Sequence, residues 1–377
     1  MAVRTFGIND PLTNKLYSRR LAVQSIQETF VHRFMGTTPY SLCQIRNETQ
    51  KSAGDRITIG LRMSLVGGGV TTGTPQEGNE ESFTMHDDSI IIEKLRHAVR
   101  VSGQDTISQQ RVPFDLREEA LQDLAQWWAE RKDRWFANQL CGNTAGDGTG
   151  GDDSFGTDIR YTGLQPTLDP DASHILRFAS TANDTALDAL TSEVTKMKLR
   201  HIDVAVENAK RLNPLIRPIR IGGRNYYVMF IHTICATDLR LDAETAGNWF
   251  DINSKALQGG NISGNPIFDG ALGVYNGTIL HEWERVTPGA VSTTQAPGVR
   301  RNVFCGAQAA WAAFGMGHGP GRYQWVEKLF DYDEELGVSA GCIGGMKAAR
   351  FNSADFGKIV VPVRADANTD LGTASDS

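Results

Sequence analysis

Residues 55–65, DRITIGLRMSL, place Ile57, Ile59, Leu61, Met63 and Leu65 at every second position. Strict alternation is the period of a strand with one apolar face. The chain then runs through VGGGVTTGTPQEGNEES, residues 66–82, a Gly-rich and acidic stretch. It returns as SIIIEKLRHAVRV, residues 89–101, rich in Ile and Val. Two strands around such a tip predict an extended β-hairpin, because the tip is too long for a tight turn. A two-stranded ribbon buries little surface on its own. It has to lie on something else, which implies a neighbour.

Downstream the pattern becomes helical. Asp115 is a suitable N-cap, with Glu118 three residues on. Leu121, Leu124, Trp128 and Trp135 follow at spacings of three, four and seven, one stripe of a helix. Glu130 and Arg134 stand at i, i+4, a pairing that adds only a few tenths of a kcal/mol. Gly142 suits a C-terminal stop. The expected helix, 115–140, approaches 40 Å at ~1.5 Å per residue, long enough to act as a spine. Residues 142–175 are Gly- and Asp-rich and read as an irregular loop. A second helical region is expected over 186–212, with Leu199, Ile202, Val206 and Ala209 on its apolar face. After Pro214 the chain turns to strands: 225–232, a hairpin over 273–286 around Asn276-Gly277, then 303–314, 323–331, 337–344 and 356–363. A polar, helical connection is expected around Trp249, and the tail 364–377 is polar.

The 377 residues suggest about two domains at ~150 residues each. A net charge of −6 argues against a dedicated nucleic-acid binder, whose affinity comes from phosphate contacts. Residues 1–40 run the other way, with Arg4, Lys15, Arg19, Arg20 and Arg33 against Asp10 and Glu28. They read either as a solvated terminal arm or as a docking segment. Five scattered cysteines, Cys43, Cys141, Cys235, Cys305 and Cys342, form no C-x-x-C pair and read as reduced and structural. The N-terminus lacks an apolar signal core, and no run of 18 apolar residues occurs, so neither a secretory signal nor a membrane span is expected.

Catalytic motifs fail on inspection. Gly337-Val-Ser339-Ala-Gly341 matches the nucleophile elbow of hydrolases, but the last histidine is His318, upstream of the serine. His281-Glu282 has no second histidine four residues on, so the zinc-protease motif is absent. Residues 315–321, GMGHGPG, have the spacing of neither a phosphate loop nor a dinucleotide fold. Asp147, Asp152, Asp153, Asp169 and Asp171 offer oxygens to calcium but lack EF-hand spacing, so a solvated loop is the preferred reading. Trp127, Trp128 and Trp135 read as core or contact residues. No catalytic, cofactor-binding or metal residue is assigned, no cofactor is expected, and an enzyme is the disfavoured reading.

Several longer segments carry a resemblance. They are RVPFDLREEALQDLAQWWAERKDRWFANQLCG at 111–142, NYYVMFIHTICATDLRLD at 225–242, NPIFDGALGVYNGTILHEWERV at 265–286, AQAAWAAFG at 307–315 and LGVSAGCIGGMKAARFNSADFGKIVVPV at 336–363. Together they make the chain similar to the coliphage N-four-type major capsid protein family. Thr233 after His232 departs from the proline expected in relatives, and 142–175 looks like a local variation.

The resemblance implies an α+β fold of the Hong Kong 97 capsid type. Its parts would be an N-terminal arm (1–45), an extended loop (46–105), a peripheral domain with the spine helix (106–215), an axial domain (216–330), and return strands with a flexible tail (331–377). It implies self-assembly through hexameric and pentameric capsomers into an icosahedral virion shell around double-stranded DNA. Portal, scaffolding and decoration proteins would be partners, DNA contact would be non-specific, and assembly would occur in the host cytoplasm. A cargo-enclosing microbial compartment with the same fold is the alternative. Some relatives cross-link lysine to asparagine. Lys94 is present, but no feature singles out a pair, and no cross-link is predicted.

Overall fold

The computed structural model describes residues 30–51, 53–102, 106–145, 165–178, 181–190, 195–221, 223–241, 271–291, 294–319, 323–332 and 334–365. The alternating segment forms β1 (Arg56–Arg62), antiparallel to β2 (Met85–Ile91), from Arg56 opposite Ile91 to Arg62 opposite Met85. Its alternation has a physical target. Ile57 and Ile59 are buried with Ile90 against Trp311, Phe351 and Phe356. Beneath them Asp88 is buried and accepts from Trp311 Nε1 (3.1 Å) and the Arg350 backbone N (3.1 Å), with Lys347 ion-paired to it. The base of the hairpin is therefore fixed to the body by both apolar and ionic contacts.

The return strand departs from expectation. The stretch 89–101 is not one strand. It divides at Ile92, whose N–H donates to Asp55 O (2.8 Å). Beyond it β3 (Glu93–Ser102) leaves the hairpin and joins a larger sheet. The Ile/Val run looks continuous in sequence because both partners offer apolar faces.

Helix α1 (Leu116–Cys141) is the spine, about 39 Å long at ~1.5 Å per residue. Asp115 caps it, its carboxylate accepting from the Arg117 N–H (2.9 Å). Gly142 ends it at φ +68°, a left-handed conformation that glycine adopts without strain. Leu124, Trp128 and Trp135 are buried as expected; so are Arg131, Lys132, Asp133, Asn138 and Gln139. The spine is thus enclosed on more than one side. Its last turn carries no basic residue of its own, so distant strands supply the charge. Lys358 Nζ donates to Gln139 O (3.1 Å) and Leu140 O (2.9 Å), and Arg301 Nη1 donates to Gly142 O (2.5 Å). Cations at carbonyl ends satisfy orphan acceptors and complement the helix dipole.

The second helical region is broken. It comprises α2 (Asp184–Asp188), capped by Asn183, and α3 (Leu199–Arg211), with non-helical backbone at 197–198. Ile202, Ala205, Val206 and Ala209 of α3 are buried. Next come β4 (Arg224–Ile231) and α4 (Thr233–Leu241), then β5 (Ala271–Tyr275) and β6 (Thr278–Glu282). Asn276 (φ +45°) and Gly277 (φ +71°) make the tight turn between the last two. The rest is strand: β7 (Pro288–Val291), β8 (Thr294–Cys305), β9 (Ala310–Phe314), β10 (Gln324–Phe330), β11 (Glu335–Ala348) and β12 (Lys358–Arg364).

Two sheets organise the subunit. One has seven strands, β7-β8-β4-β6-β5 in order, with β12 on β8 and Ile219–Ile221 on β4. The other has six, with Met35–Gly36, Cys43–Arg46, β9, β11 and β10 in order and β3 on the opposite edge of β11. The expected strand 303–314 is therefore two strands in different sheets, parted by 306–309. There Gly306 lies against Arg217 O, leaving no room for a side chain. One core, including Trp128, Phe136, Phe230, Trp283 and Val338, joins the spine to both sheets. Another packs α3 and α4 on the seven-stranded sheet through Met229, Phe304 and Ile359. No helix among the described residues is long and apolar enough to cross a membrane. Residues 1–29 of the arm, loop residues 146–164, the connection at Trp249 and the tail 366–377 lie outside the described residues.

Candidate functional site

Past Met63, whose N–H donates to Thr84 O (3.0 Å), the hairpin loses its packing partners. Leu65 (64 %), Val66 (86 %) and Phe83 (64 %) are exposed. Glu81 braces the tip, its two oxygens accepting from Val66 N–H and Gly67 N–H at 2.7 Å each. Glu80 accepts from Gly78 N–H (2.8 Å). With Glu77, these are the only charged residues between 63 and 84, so the tip carries three negative charges and no cation.

The second surface is the outer face of β3-β11-β10. The spine covers the other face, where His97 stacks on Trp127 (4.2 Å between ring centres) and Arg117 pairs with Glu327 (2.7 Å). On the outer face the centre strand presents Gly337, Ser339 and Gly341, opposite Arg100, Ala98 and Arg96 on β3 and Lys328, Val326 and Gln324 on β10. Small residues between longer ones leave a trough of about 280 Å³. Lys94, Arg96 and Lys328 rim it, and among the described residues none is ion-paired to a carboxylate. Lys94 Nζ donates to Gln324 Oε1 (3.0 Å). Every residue of β10 from Gln324 to Leu329 is exposed, so this edge strand is more open than the strands beside it.

A third feature anchors the chain entering from the arm. Asp133 on the spine accepts from Phe30 N–H (2.9 Å) and Val31 N–H (3.1 Å). Phe30 stacks on Trp283 (5.2 Å) and Phe34 meets Phe230 edge-on (5.0 Å). Burial pushes the Asp133 carboxyl up to about 6, against the two backbone donors that lower it. Its neighbour Lys132, donating to Tyr323 Oη (2.8 Å), is brought down to about 8 by burial.

Comparison with known proteins gives these surfaces their context. The family described as phage capsid protein matches residues 5–367. The chain belongs to the phage capsid protein family. It is 30% identical over 384 residues to the major capsid protein of Pseudomonas phage KPP25, covering 94% of this chain and 96% of that one. Among solved structures it is similar to the capsid of Ralstonia phage GP4 (29% identity, TM-score 0.76, 97% of this chain and 99% of that one). It also shares its fold with the cyanophage Pam1 capsid (21% identity, TM-score 0.71, 97% and 99%). The α+β architecture is that of Hong Kong 97-like phage capsids.

Within this capsid fold the residues weighed as chemical candidates have structural places. Ser339 Oγ donates to His97 O (3.3 Å) from the floor of the trough. His281 lies on β6 against Phe34, and Glu282 pairs with Arg240 (3.2 Å). Asp169, read as part of a solvated loop, instead reaches buried Arg301 at 2.9 Å, and Asp171 accepts from Ser173 N–H (3.3 Å). Asp147, Asp152 and Asp153 lie outside the described residues, among which no cluster of metal-ligating side chains occurs. Glu130, expected to pair with Arg134, accepts from Gln126 (3.3 Å) and faces Arg285 (4.0 Å). Sequence reasoning missed the basic rim, because Lys328 joins Lys94 and Arg96 only through the sheet. Lys94 and Arg96 at i, i+2 on a strand were the available signal.

Proposed function

We propose that this phage major capsid protein builds an icosahedral virion shell around double-stranded DNA, through hexameric and pentameric capsomers. The observation that carries the proposal is a hairpin whose base is packed and whose tip is bare. Exposed Leu65, Val66 and Phe83 on an outlying ribbon make sense when a neighbour covers them. Heterologous contacts of this kind close into rings. Many weak contacts then sum to a shell that resists internal pressure. The role is structural and non-enzymatic.

The division into arm (1–45), extended loop (46–105), peripheral domain (106–215), axial domain (216–330) and return strands with tail (331–377) is part of this reading. So is placement in the coliphage N-four-type branch. The arm would reach another subunit. Portal, scaffolding and decoration proteins would be partners, and assembly would take place in the host cytoplasm. The net charge of −6 suits a wall that does not trap DNA, since like charge weakens adhesion. Negative-stain electron microscopy of the purified chain tests the proposal. Closed shells, sheets or tubes of ring-shaped capsomers are expected. Small oligomers alone, persisting on co-expression with candidate scaffolding genes, overturn it.

A further inference from the structure

One stretch of the chain runs against its net charge of −6. No carboxylate lies between Glu207 and Asp238, while Lys210, Arg211, Arg217, Arg220 and Arg224 all do. All five cations are exposed. Arg211 is compensated by Glu207 (3.0 Å), and none of the other four is ion-paired to a carboxylate among the described residues. We infer that Lys210, Arg217, Arg220 and Arg224, with Tyr40, form a contact surface for the phosphate backbone of the enclosed double-stranded DNA. The inference rests on the shell-building reading above and gives that shell a DNA-contacting face.

The patch stands on fixed backbone. Ile216 and Ile219 are buried, while Arg217 and Arg220, each one residue on, are exposed. Ile216 N–H donates to Ala209 O (3.1 Å), folding the connection back on the end of α3 beside Lys210. Ala307 N–H donates to Arg217 O (2.7 Å). Ile219–Ile221 then pairs antiparallel with the start of β4, Arg220 opposite Asn225 and Ile221 opposite Arg224. Successive strand residues face opposite ways, so Arg220 and Arg224 stand on opposite faces of a narrow ribbon. The Arg220 guanidinium lies over the exposed Tyr40 ring at 5.4 Å, which holds its direction.

These features select phosphate. Guanidinium forks match phosphate oxygens in geometry as well as charge. Cations on both faces of a ribbon suit a partner whose charge repeats closely, and a duplex carries one negative charge per ~1.7 Å of its axis. Leu215 and Ile221 are also exposed here, but Arg217 and Arg220 come between them, so charge interrupts the apolar surface that a polypeptide partner would cover. Four cations per copy make a weak, salt-sensitive contact, and repetition over the shell adds such contacts together.

The test measures binding of a fluorescein-labelled mixed-sequence DNA duplex to the unassembled full chain by anisotropy, over 50 to 200 mM salt. Each phosphate contact adds about 0.9 to the slope of log affinity against log salt. Arg217→Ala/Arg220→Ala/Arg224→Ala is therefore expected to lower the slope by about 2.7, so that affinity falls ~40-fold less across that range than in the parent. The lysine version of the triple variant is expected to keep the parental slope. Arg117→Ala/Arg211→Ala/Arg240→Ala changes net charge equally but removes cations already paired to Glu327, Glu207 and Glu282, and is expected to leave the slope unchanged. Unfolding midpoints of all variants should match the parent.

Equal slopes for the parent and the alanine triple variant overturn the inference and leave the capsid reading intact. So does a patch that captures a polyglutamate peptide but no duplex, which would make it a protein-docking surface. A folded alanine triple variant that forms no particles also overturns it, since the patch would then be a subunit contact. Failure of the unsubstituted chain to form particles under any condition sinks the shell reading and the inference with it.

Discussion

Arg301 is the residue whose loss tests how the end of the spine is tied to the seven-stranded sheet. It is fully buried on β8. Its Nε donates to Asp184 Oδ2 (2.6 Å), Nη1 to Gly142 O (2.5 Å) and Cys141 O (3.4 Å), and Nη2 to Ala290 O (2.5 Å). One side chain therefore joins the end of the spine to α2, β7 and β8. Arg301→Met keeps much of the volume and removes every donor. Taking one partner from a buried pair costs ~3–5 kcal/mol, because the other charge stays buried. Asp184 is also wholly buried, but it keeps Arg177 at 2.8 Å and the Ala290 N–H at 3.1 Å, which pulls the cost toward the low end. The spine carbonyls left without a donor push it back, at ~1–3 kcal/mol for an orphaned group.

We expect a loss of about 4 kcal/mol, read from urea unfolding of the unassembled subunit by tryptophan fluorescence. Amide exchange at 138–142 should accelerate with it, since that turn loses its cap. Asp184→Asn should cost less than Arg301→Met, because Asp169 still faces the guanidinium at 2.9 Å. An Arg301→Met subunit within about 1 kcal/mol of the parent would show that Arg301 contributes no more than an exposed pair does.

Two buried groups predict opposite pH dependences. Asp133 has its folded value raised from 3.8 to about 6, so its favourable contribution is complete below 3.8 and is lost as pH rises through about 6. The urea midpoint of Asp133→Asn, relative to the parent, should therefore improve as pH rises through that window; a constant offset would show that the carboxyl is not perturbed. His232, whose Nδ1 accepts from Ile234 N–H (3.2 Å) at the start of α4, is lowered from 6.5 to about 4, chiefly by burial and then by Arg300. Its contribution is present above 6.5 and lost as pH falls through about 4, so His232→Asn, which keeps a capping acceptor, should flatten the acid limb of the stability curve. At the tip, proline at Gly67, Gly68 and Gly69 should block assembly or shell expansion and leave the subunit folded, because Gly67 N–H is held by Glu81 and Gly69 has φ +69°. Normal shells from that variant, seen by electron microscopy, would show that assembly does not depend on the backbone freedom of these glycines.

Local periodicity carried much of the fold. Alternation at Ile57 and Ile59 had one reading, since a single apolar face was buried. The spine was legible at both ends because Asp115 and Gly142 are capping chemistries encoded beside the helix. Illegible features share a cause, which is that their partners are distant in sequence. Nothing near 139–142 announces that Lys358 and Arg301 will cap those carbonyls. Nothing near 94–96 announces Lys328. The Ile/Val run at 89–101 conceals a change of partner at Ile92, because apolar strands look alike whichever sheet they join.

The same logic separates subunit stability from assembly. The features that sequence alone made legible, the alternating hairpin base and the capped spine, are those that fold the subunit by itself. The bare hairpin tip contributes nothing to the subunit's own core, and on the shell-building reading its sense comes from a neighbouring subunit. Substitutions there should accordingly move particle yield strongly and the unfolding midpoint of the lone subunit hardly at all, while Arg301 and Asp133 should move the midpoint first.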